Sequence, residues 1–357
     1  MDARKPAPDR ATPAAPAASP VASPGAASLD ERARLRDLGL RIAGTALEPL
    51  VAKLQAELSA AGVRVQPRCY LSTEWGVTEE GAVTAIGIPF YLAHPELSRW
   101  QGERVGLIEG YGPSDTMRYL RHEMGHVVNY VYALHRRPEW LALFGDYGQP
   151  YEEEYVPQPF SSDSVCHLPG WYAQKHPDED WAETFAVWLT PGLDWAHEYA
   201  GCPGALSKLR YCDAVMAELR AVTPPPDDAE PDEDVAVVDR TLADLYALAD
   251  DPDIVAPPIA AAALRSLLCD LQPEAGAPGL AVSELLRRRQ RELVTNLFRA
   301  TGHFPERTQP LLRQLAAAAD ALSLRYRPDD ELAALVALTS LLTTLAMRFI
   351  CTGRYAP

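Results

Sequence analysis

Two histidines and a glutamate stand close together in the segment His122-Glu123-Met124-Gly125-His126. On a helix, a spacing of four residues places both imidazoles on one face, one turn apart, where both can bind the same ion. Glu123 lies beside them and can take a proton from water without binding the ion itself. This H-E-x-x-H pattern predicts a zinc site with a glutamate general base. The alternative is an amphipathic helix with two surface histidines and a glutamate in a salt bridge.

A hydrolytic zinc site needs a third protein ligand. The extended motif of the metzincins would require Gly at 129 and His at 132, where this chain has Asn129 and Tyr132. His135 follows on the same helix, about two and a half turns beyond His126, and therefore points away from it. The remaining option is an acidic side chain on a second helix.

The acidic segment 178–186 is the candidate for that second helix. Asp180 and Glu183 are three residues apart, which places them on one helical face. Ala182 and Ala186 are small enough to permit close contact with another helix. Gly125 is unusual inside a helix, where glycine is less favourable than alanine by roughly 0.5–1 kcal/mol. A closely packed neighbour or a substrate strand would explain it.

The sequence HEMGHVVNY followed by WYAQKHPDEDWAETFAVWL resembles the bacterial zinc-binding metallopeptidases of the gluzincin type, over about residues 65–200. The resemblance implies that Glu183, in the AETFA segment, is the third zinc ligand, and that Tyr172, in the YA pair, stabilises the transition state. Proteins of this type often carry Asp four residues after the Glu ligand. That position is Val187 here, which leaves Asp180 and Asn129 as candidates for orienting a ligand.

The flanking pattern predicts an α+β, zincin-like catalytic domain with a small sheet and an active-site helix. Pro113-Ser114 opens a helix that continues through Leu134 and carries the histidines. A second strand pattern, Ala82 to Leu92, contains Pro89, which lacks a backbone donor and so predicts an edge strand or a strand end. This strand could bind an extended peptide by edge pairing, or simply pack in the core.

Composition divides the chain into four parts. Residues 1–31 form an Ala/Pro-rich tail that we expect to be disordered. Residues 32–222 form the catalytic domain, and residues 223–236 form an acidic, proline-rich linker. Residues 237–357 carry four or five Ala/Leu-rich helical patterns and predict an all-α domain. Its helices are candidates for binding a protein partner.

Charge and cysteine content exclude several classes of protein. The formal net charge is −16, which argues against binding of nucleic acid. The apolar run Leu332 to Ile350 is interrupted by Thr, Ser and Arg residues, so we interpret it as a core helix rather than a membrane span. Six scattered cysteines without C-x-x-C spacing, and no recognisable secretory signal, predict reduced thiols and a cytoplasmic location.

Three functions are compatible with these patterns. The first is a zinc metallopeptidase that acts on a peptide or protein substrate, with Glu123 as general base. The second is a zinc hydrolase that uses the same site on a non-peptide amide. The third is an inactive zinc-binding protein whose helical domain makes the contacts. The intact Glu123 disfavours the third, because binding of the metal alone does not require it.

Overall fold

The computed structural model describes residues 29–77, 85–152, 155–225, 231, 233–246, 260–274 and 276–355. Residues 1–28 of the expected tail, and 226–230 and 232 of the expected linker, lie outside the described residues.

The described residues form helices, one sheet of three strands and one of two, which agrees with the predicted α+β class. The strands are β1 (Arg68–Ser72), β2 (Gly76–Val77), β3 (Ala85–Pro89), β4 (Leu280–Ala281) and β5 (Arg325–Tyr326). The helices of the first half are α1 (Glu48–Ala61), α2 (Pro95–Arg104), α3 (Pro113–Val131), α4 (Pro138–Phe144), α5 (Pro177–Leu189), α6 (Trp195–Glu198) and α7 (Pro203–Leu219). Those of the second half are α8 (Leu242–Tyr246), α9 (Ala260–Leu267), α10 (Val282–Arg288), α11 (Gln290–Thr301), α12 (Pro305–Ala321) and α13 (Glu331–Thr352).

Strand β3 lies in the middle of the three-stranded sheet, whose order is β1-β3-β2. It pairs with β1 in parallel and with β2 in antiparallel orientation, so both its edges are occupied at Ile86 and Gly87. All five of its residues are buried. The expectation that this strand offers an edge to a peptide is therefore wrong for its described part, and the core-packed alternative holds. Pro89 ends the strand, as predicted for a residue without a backbone donor.

Helices α3 and α5 pack closely against each other. A Cβ atom added to Gly125 would lie 2.6 Å from the Cα atom of Ala182, so only glycine permits this approach. The indole nitrogen of Trp181 donates a hydrogen bond of 2.8 Å to the carbonyl oxygen of Gly125. On the other side of α3, Arg121 forms a bidentate ion pair of 2.8 and 2.9 Å with Glu57 of α1. These contacts fix the position and the rotation of the helix that carries the histidines.

The first hydrophobic core extends beyond residue 222, where the sequence suggested that the first domain ends, and includes one residue of the expected linker and one of the expected helical domain. Val235 and Leu242 are 3% and 0% exposed and belong to this core. The Val235 amide donates to the carbonyl of Leu71, and the Leu242 amide to that of Ala33. The chain after the expected linker thus first returns to the N-terminal core through α8. The physical reason is that Val235 and Leu242 are apolar and gain more from burial than the acidic residues before them.

Helices α9 to α13 surround a second, separate core. Two-residue strands β4 and β5 pair within this region, so it is helical with a short β-ribbon rather than purely α. Among the described residues, one helical stretch, Pro328–Thr352, is long and apolar enough to cross a membrane, and 39% of its most apolar window is buried. Its buried face, which includes Leu338, Leu342 and Ala346, is part of the second core.

The turn between α11 and α12 lies against the segment 155–172 of the N-terminal region. A Cβ atom on Gly302 would be 2.6 Å from Cγ of Pro157 and 3.1 Å from the carbonyl oxygen of Gly170. The ring of Phe304 packs edge-on against Tyr155, with centroids 5.7 Å apart. The C-terminal helices therefore contact the part of the chain that leads into α5.

Candidate metal centre

Helix α3 presents His122, Glu123 and His126 in the interior of the protein. Their exposed fractions are 2%, 6% and 7%. The two imidazoles lie one turn apart on the same face, and their Nε2 atoms are 3.1 Å from each other. This is the arrangement that the spacing predicted, and burial contradicts the alternative of two surface histidines.

The first turn of α5 brings Glu179 to the same point. Its Oε2 atom lies 2.9 Å from Nε2 of His122 and 3.3 Å from Nε2 of His126. The helix begins at Pro177, and the ring of His176 caps it by accepting a hydrogen bond from the Asp178 amide. The three side chains form a buried group whose potential ligand atoms all lie within 4.8 Å of one another. Such a group could hold a metal ion.

Each histidine has a carboxylate on its other ring nitrogen. Nδ1 of His122 lies 2.9 Å from Oε1 of Glu183, and Nδ1 of His126 lies 3.0 Å from Oδ2 of Asp178. The second oxygen of Glu183 accepts hydrogen bonds of 2.9 and 2.8 Å from the amides of His167 and Leu168. Carboxylates in this position fix the orientation and the tautomer of histidine ligands.

The structure places Glu183 differently from the expected third ligand. It contacts Nδ1 of His122, on the side of the ring away from His126, and Glu179 occupies the position between the two Nε2 atoms. Glu179 and Glu183 are one turn apart on α5. The first turn of α5, which carries Glu179, lies next to the Nε2 atoms of both histidines. The residue four positions after Glu179 is the acid Glu183, whereas the residue four positions after Glu183 is Val187.

The two candidates for orienting a ligand have different neighbours. The amide nitrogen of Asn129 donates a hydrogen bond of 2.6 Å to Asp178, and the Tyr130 hydroxyl donates one of 2.5 Å. Asn129 therefore acts on His126 through Asp178. Asp180 instead points to α7, where its carboxylate lies 2.5 Å from the ammonium of Lys208. Sequence reasoning missed Asp178, although it stands beside Asp180 in the same acidic segment.

Three potential ligand atoms face one another at the centre of this group. When the imidazoles are neutral, the carboxylate at each Nδ1 keeps the proton on that nitrogen, and each Nε2 then presents a lone pair. Oε2 of Glu179 is buried and has no hydrogen-bond partner of good geometry within the described residues. Leaving such an atom unsatisfied costs about 1–3 kcal/mol, or more when it is charged. Two imidazole lone pairs and a carboxylate oxygen are the donor set that zinc takes in hydrolases, so these residues fit the ion.

The pKa values describe the same cluster in the absence of a cation. Burial opposes a charge on His122, but the adjacent carboxylates of Glu179 and Glu183 raise its pKa to about 9. Burial likewise opposes a charge on His126, whose pKa is nevertheless raised well above its ordinary value by Asp178 and Glu179. Protons on the imidazoles thus balance the buried carboxylates, and a cation would have to replace them.

The remaining candidate residue, Tyr172, lies beside the histidines. It opens a short 3₁₀ turn, Tyr172–Gln174, and its ring centroid is 5.6 Å from that of His122. Its hydroxyl is 3.3 Å from the hydroxyl of Tyr151. Burial raises the pKa of Tyr172 well above its ordinary value, so the hydroxyl keeps its proton and remains a donor.

A further buried acid, Glu109, lies near enough to Glu123 to be influenced by its charge and was not anticipated from the sequence. Burial raises its pKa to about 7, and the nearby carboxylates of Glu306 and Glu123 contribute in the same direction. Burial is also the main reason why the pKa of Glu123 is raised. Glu306 lies in the first turn of α12, so an acidic group of the C-terminal helices influences the surroundings of the candidate site.

Comparison with known families supports this interpretation of the site. Residues 100–200 match the family described as "Putative zinc-binding metallo-peptidase". The match confirms, for residues 100–200, the resemblance to zinc-binding metallopeptidases that the sequence motifs indicated. The comparisons with curated proteins and with solved structures found no match.

The segment that matches the family contains every residue of the candidate centre. Both helices that form it, α3 and α5, lie within residues 100–200. The family is described as zinc-binding, which agrees with the His-His-Glu group in the structure. Helices α9 to α13 lie outside the matched residues.

Proposed function

We propose that the chain is a zinc-dependent metallopeptidase in which His122, His126 and Glu179 bind one zinc ion. The observation that carries the proposal is the convergence of their three acceptor atoms in a buried position, each imidazole being backed by its own carboxylate. The family match over residues 100–200 supports the same conclusion. We also propose that the segment has the zincin-like arrangement that the family resemblance implies.

In this proposal Glu123 is the general base. It follows His122 directly on α3, does not belong to the ligand group, and has a pKa raised by burial, which makes it a better proton acceptor near neutral pH. Bound zinc supplies a Lewis acid that makes water nucleophilic near neutral pH and polarises the scissile carbonyl. Glu123 takes the proton of the attacking water and passes it to the leaving amine. The hydroxyl of Tyr172 donates to the oxyanion of the transition state.

We further propose a peptide or protein as substrate and the cytoplasm as location. All six cysteines are free in the structure, as expected in a reducing compartment. The formal net charge of −16 disfavours nucleic acid as a partner. A membrane partner is disfavoured because α13, the one long apolar helix in the described part of the chain, places a face in the second core.

Metal analysis and one isosteric substitution test this proposal. We expect about one zinc ion per chain in the wild type and in Glu123→Gln, because Glu123 is not a ligand. Glutamine cannot accept the proton, so cleavage of a peptide library should fall about a hundred-fold or more. Full activity of Glu123→Gln would show that the mechanism is wrong. Zinc binding with no peptide cleavage by the wild type would favour a non-peptide amide or an inactive protein.

A further inference from the structure

The third proposed ligand has a partner of its own, Tyr151. The hydroxyl of Tyr151 donates a short hydrogen bond to Oε1 of Glu179, the oxygen that does not face the imidazoles. The side chain of Tyr151 is 48% exposed at the rim of the site, whereas Glu179 is 4% exposed. A rim residue thus reaches inward to a buried carboxylate.

Contacts with Lys175 and His176, the two residues before α5, hold Tyr151 in place. The ammonium of Lys175 lies 4.3 Å from the centroid of the Tyr151 ring, a cation–π distance. The ring of His176 is 5.3 Å away, and its Nε2 lies 3.2 Å from the carbonyl oxygen of Gln149. His176 also caps α5. The segment that carries Tyr151 is therefore attached to the same helix end that carries Glu179.

The hydrogen bond from Tyr151 distinguishes the two oxygens of Glu179, because it engages Oε1 and not Oε2. A hydrogen bond from a phenol to a carboxylate is charge-assisted and stronger than one between neutral groups. With Oε1 engaged by Tyr151, the carboxylate offers Oε2 to a cation. A ligand that binds through one oxygen leaves room for the water or substrate that a catalytic zinc site must admit.

The three ligands then share one pattern, because each has a partner that fixes its orientation. Glu183 contacts His122, Asp178 contacts His126, and Tyr151 contacts Glu179. We propose that Tyr151 is a positioning residue of the metal centre that orients Glu179 for zinc. The proposal rests on the proposed function, since it needs Glu179 to be a ligand. It assigns Tyr151 a role distinct from that of Tyr172, which faces His122.

Zinc affinity, measured on the full chain by competition with a chromophoric chelator, tests the proposal without a substrate. Tyr151→Phe keeps the ring and its contact with Lys175 but removes the donor. We expect its affinity for Zn²⁺ to fall about 10- to 100-fold, as for other outer partners of metal ligands. Tyr155→Phe is the matched control, because its hydroxyl donates to the carbonyl of Gly170 rather than to a ligand. Its affinity should be that of the wild type.

A double-mutant cycle shows whether Tyr151 acts through Glu179. In the Glu179→Ala background, Tyr151→Phe should cause no further loss of Zn²⁺ affinity, because the group that it positions is gone. Additive losses would overturn the proposal, as would wild-type affinity in Tyr151→Phe; both results leave the proposed function intact. If the wild type itself binds no Zn²⁺, the proposed function fails, and the role of Tyr151 fails with it.

A second variant, Lys175→Met, tests the same proposal if Tyr151→Phe does not fold. Lys175→Met leaves the hydroxyl in place but removes the cation above the ring. We expect a smaller loss of Zn²⁺ affinity in the same direction, and unchanged affinity would again contradict the proposal.

Discussion

At the scale of single residues, the two glutamates of α5 contact different atoms of the candidate metal centre. Glu179 presents an oxygen to both Nε2 atoms, whereas Glu183 contacts Nδ1 of His122 and two backbone amides. The hydrogen bonds and the charge of the histidines keep the pKa of both carboxyls below the ordinary value, although burial opposes this. Both are therefore ionised, and only their positions distinguish the proposed ligand, Glu179, from the proposed orienting group, Glu183.

This division predicts different metal affinities for two matched substitutions. Glu179→Ala should abolish tight binding of zinc, because only two protein ligands remain. Glu183→Ala leaves all three ligands and should weaken zinc binding by about 10- to 100-fold. Chelator competition on both variants measures the difference. Tight zinc binding by Glu179→Ala together with its loss in Glu183→Ala would restore Glu183 as the ligand.

At the scale of secondary-structure elements, the approach of α3 to α5 decides whether the site forms. The two helices run antiparallel, since His122 lies against Glu183 and His126 against Asp178. The hydrogen atom of Gly125 in place of a side chain permits the contact with Ala182. The ligands from the two helices therefore meet only if this contact is kept.

Gly125→Ala should be destabilising even though alanine favours the helix. The new Cβ would lie 2.6 Å from a backbone atom, which cannot move away as the end of a side chain can. We expect the free energy of unfolding to fall by about 1–3 kcal/mol, measured by urea denaturation. Gly102→Ala in α2 is the control, because its Cβ would meet only the flexible side chain of Ile108 at 3.1 Å. Equal stability of the two variants would argue against the close helix contact.

At the scale of the whole molecule, the C-terminal helices support the wall of the site. Phe304 packs on Tyr155, and Tyr155 packs edge-on against Tyr172 with centroids 6.5 Å apart. Gly302 and Gly170 permit the close approach of the two regions. A Cβ on Gly302 would lie 2.6 Å from Pro157, and one on Gly170 would lie 2.6 Å from the ring of Phe298. The second domain is thus connected to the proposed oxyanion donor through two aromatic rings.

Phe304→Ala should therefore lower turnover without removing zinc. Loss of the ring frees Tyr155 and lets Tyr172 shift, and small displacements of catalytic groups reduce rates by up to about 100-fold. Zinc content and peptide cleavage, measured together, separate the two effects. Phe349→Ala is the control, because that ring packs on Tyr355 in the C-terminal region rather than against the catalytic domain. An equal loss of turnover in both variants would indicate general destabilisation.

Stability of the whole chain should also depend on a buried histidine of the C-terminal region. His303 is 1% exposed and bonded to Thr308 and Tyr355, each at 2.7 Å. Burial, together with the charge of Arg307, lowers its pKa from 6.5 to about 4. As the pH falls from 6.5 to 4, the unfolded chain binds the proton first, so the free energy of unfolding decreases. Urea denaturation across this range should show a shallower decrease for His303→Gln, and identical slopes would contradict the assignment.

The sequence by itself determined the metal chemistry and the two helices that supply it. A spacing of four residues puts His122 and His126 on one face whatever the rest of the fold does, because the helical period is local. The acidic segment before Ala182 was recognisable as the second helix for the same reason. The small residues Gly125 and Ala182 also indicated the contact between the helices, and the structure shows it.

Only the tertiary structure decided which acid faces the histidines. Glu179 and Glu183 lie one turn apart on the same side of α5, so helical periodicity does not distinguish them. The choice depends on the offset of α5 along α3, which the contact of Gly125 with Ala182 fixes. The approach of Tyr151, and of Phe304 from the second domain, likewise depends on contacts between residues far apart in the chain. Local spacing contains no information about such offsets, because they result from packing that involves several elements at once.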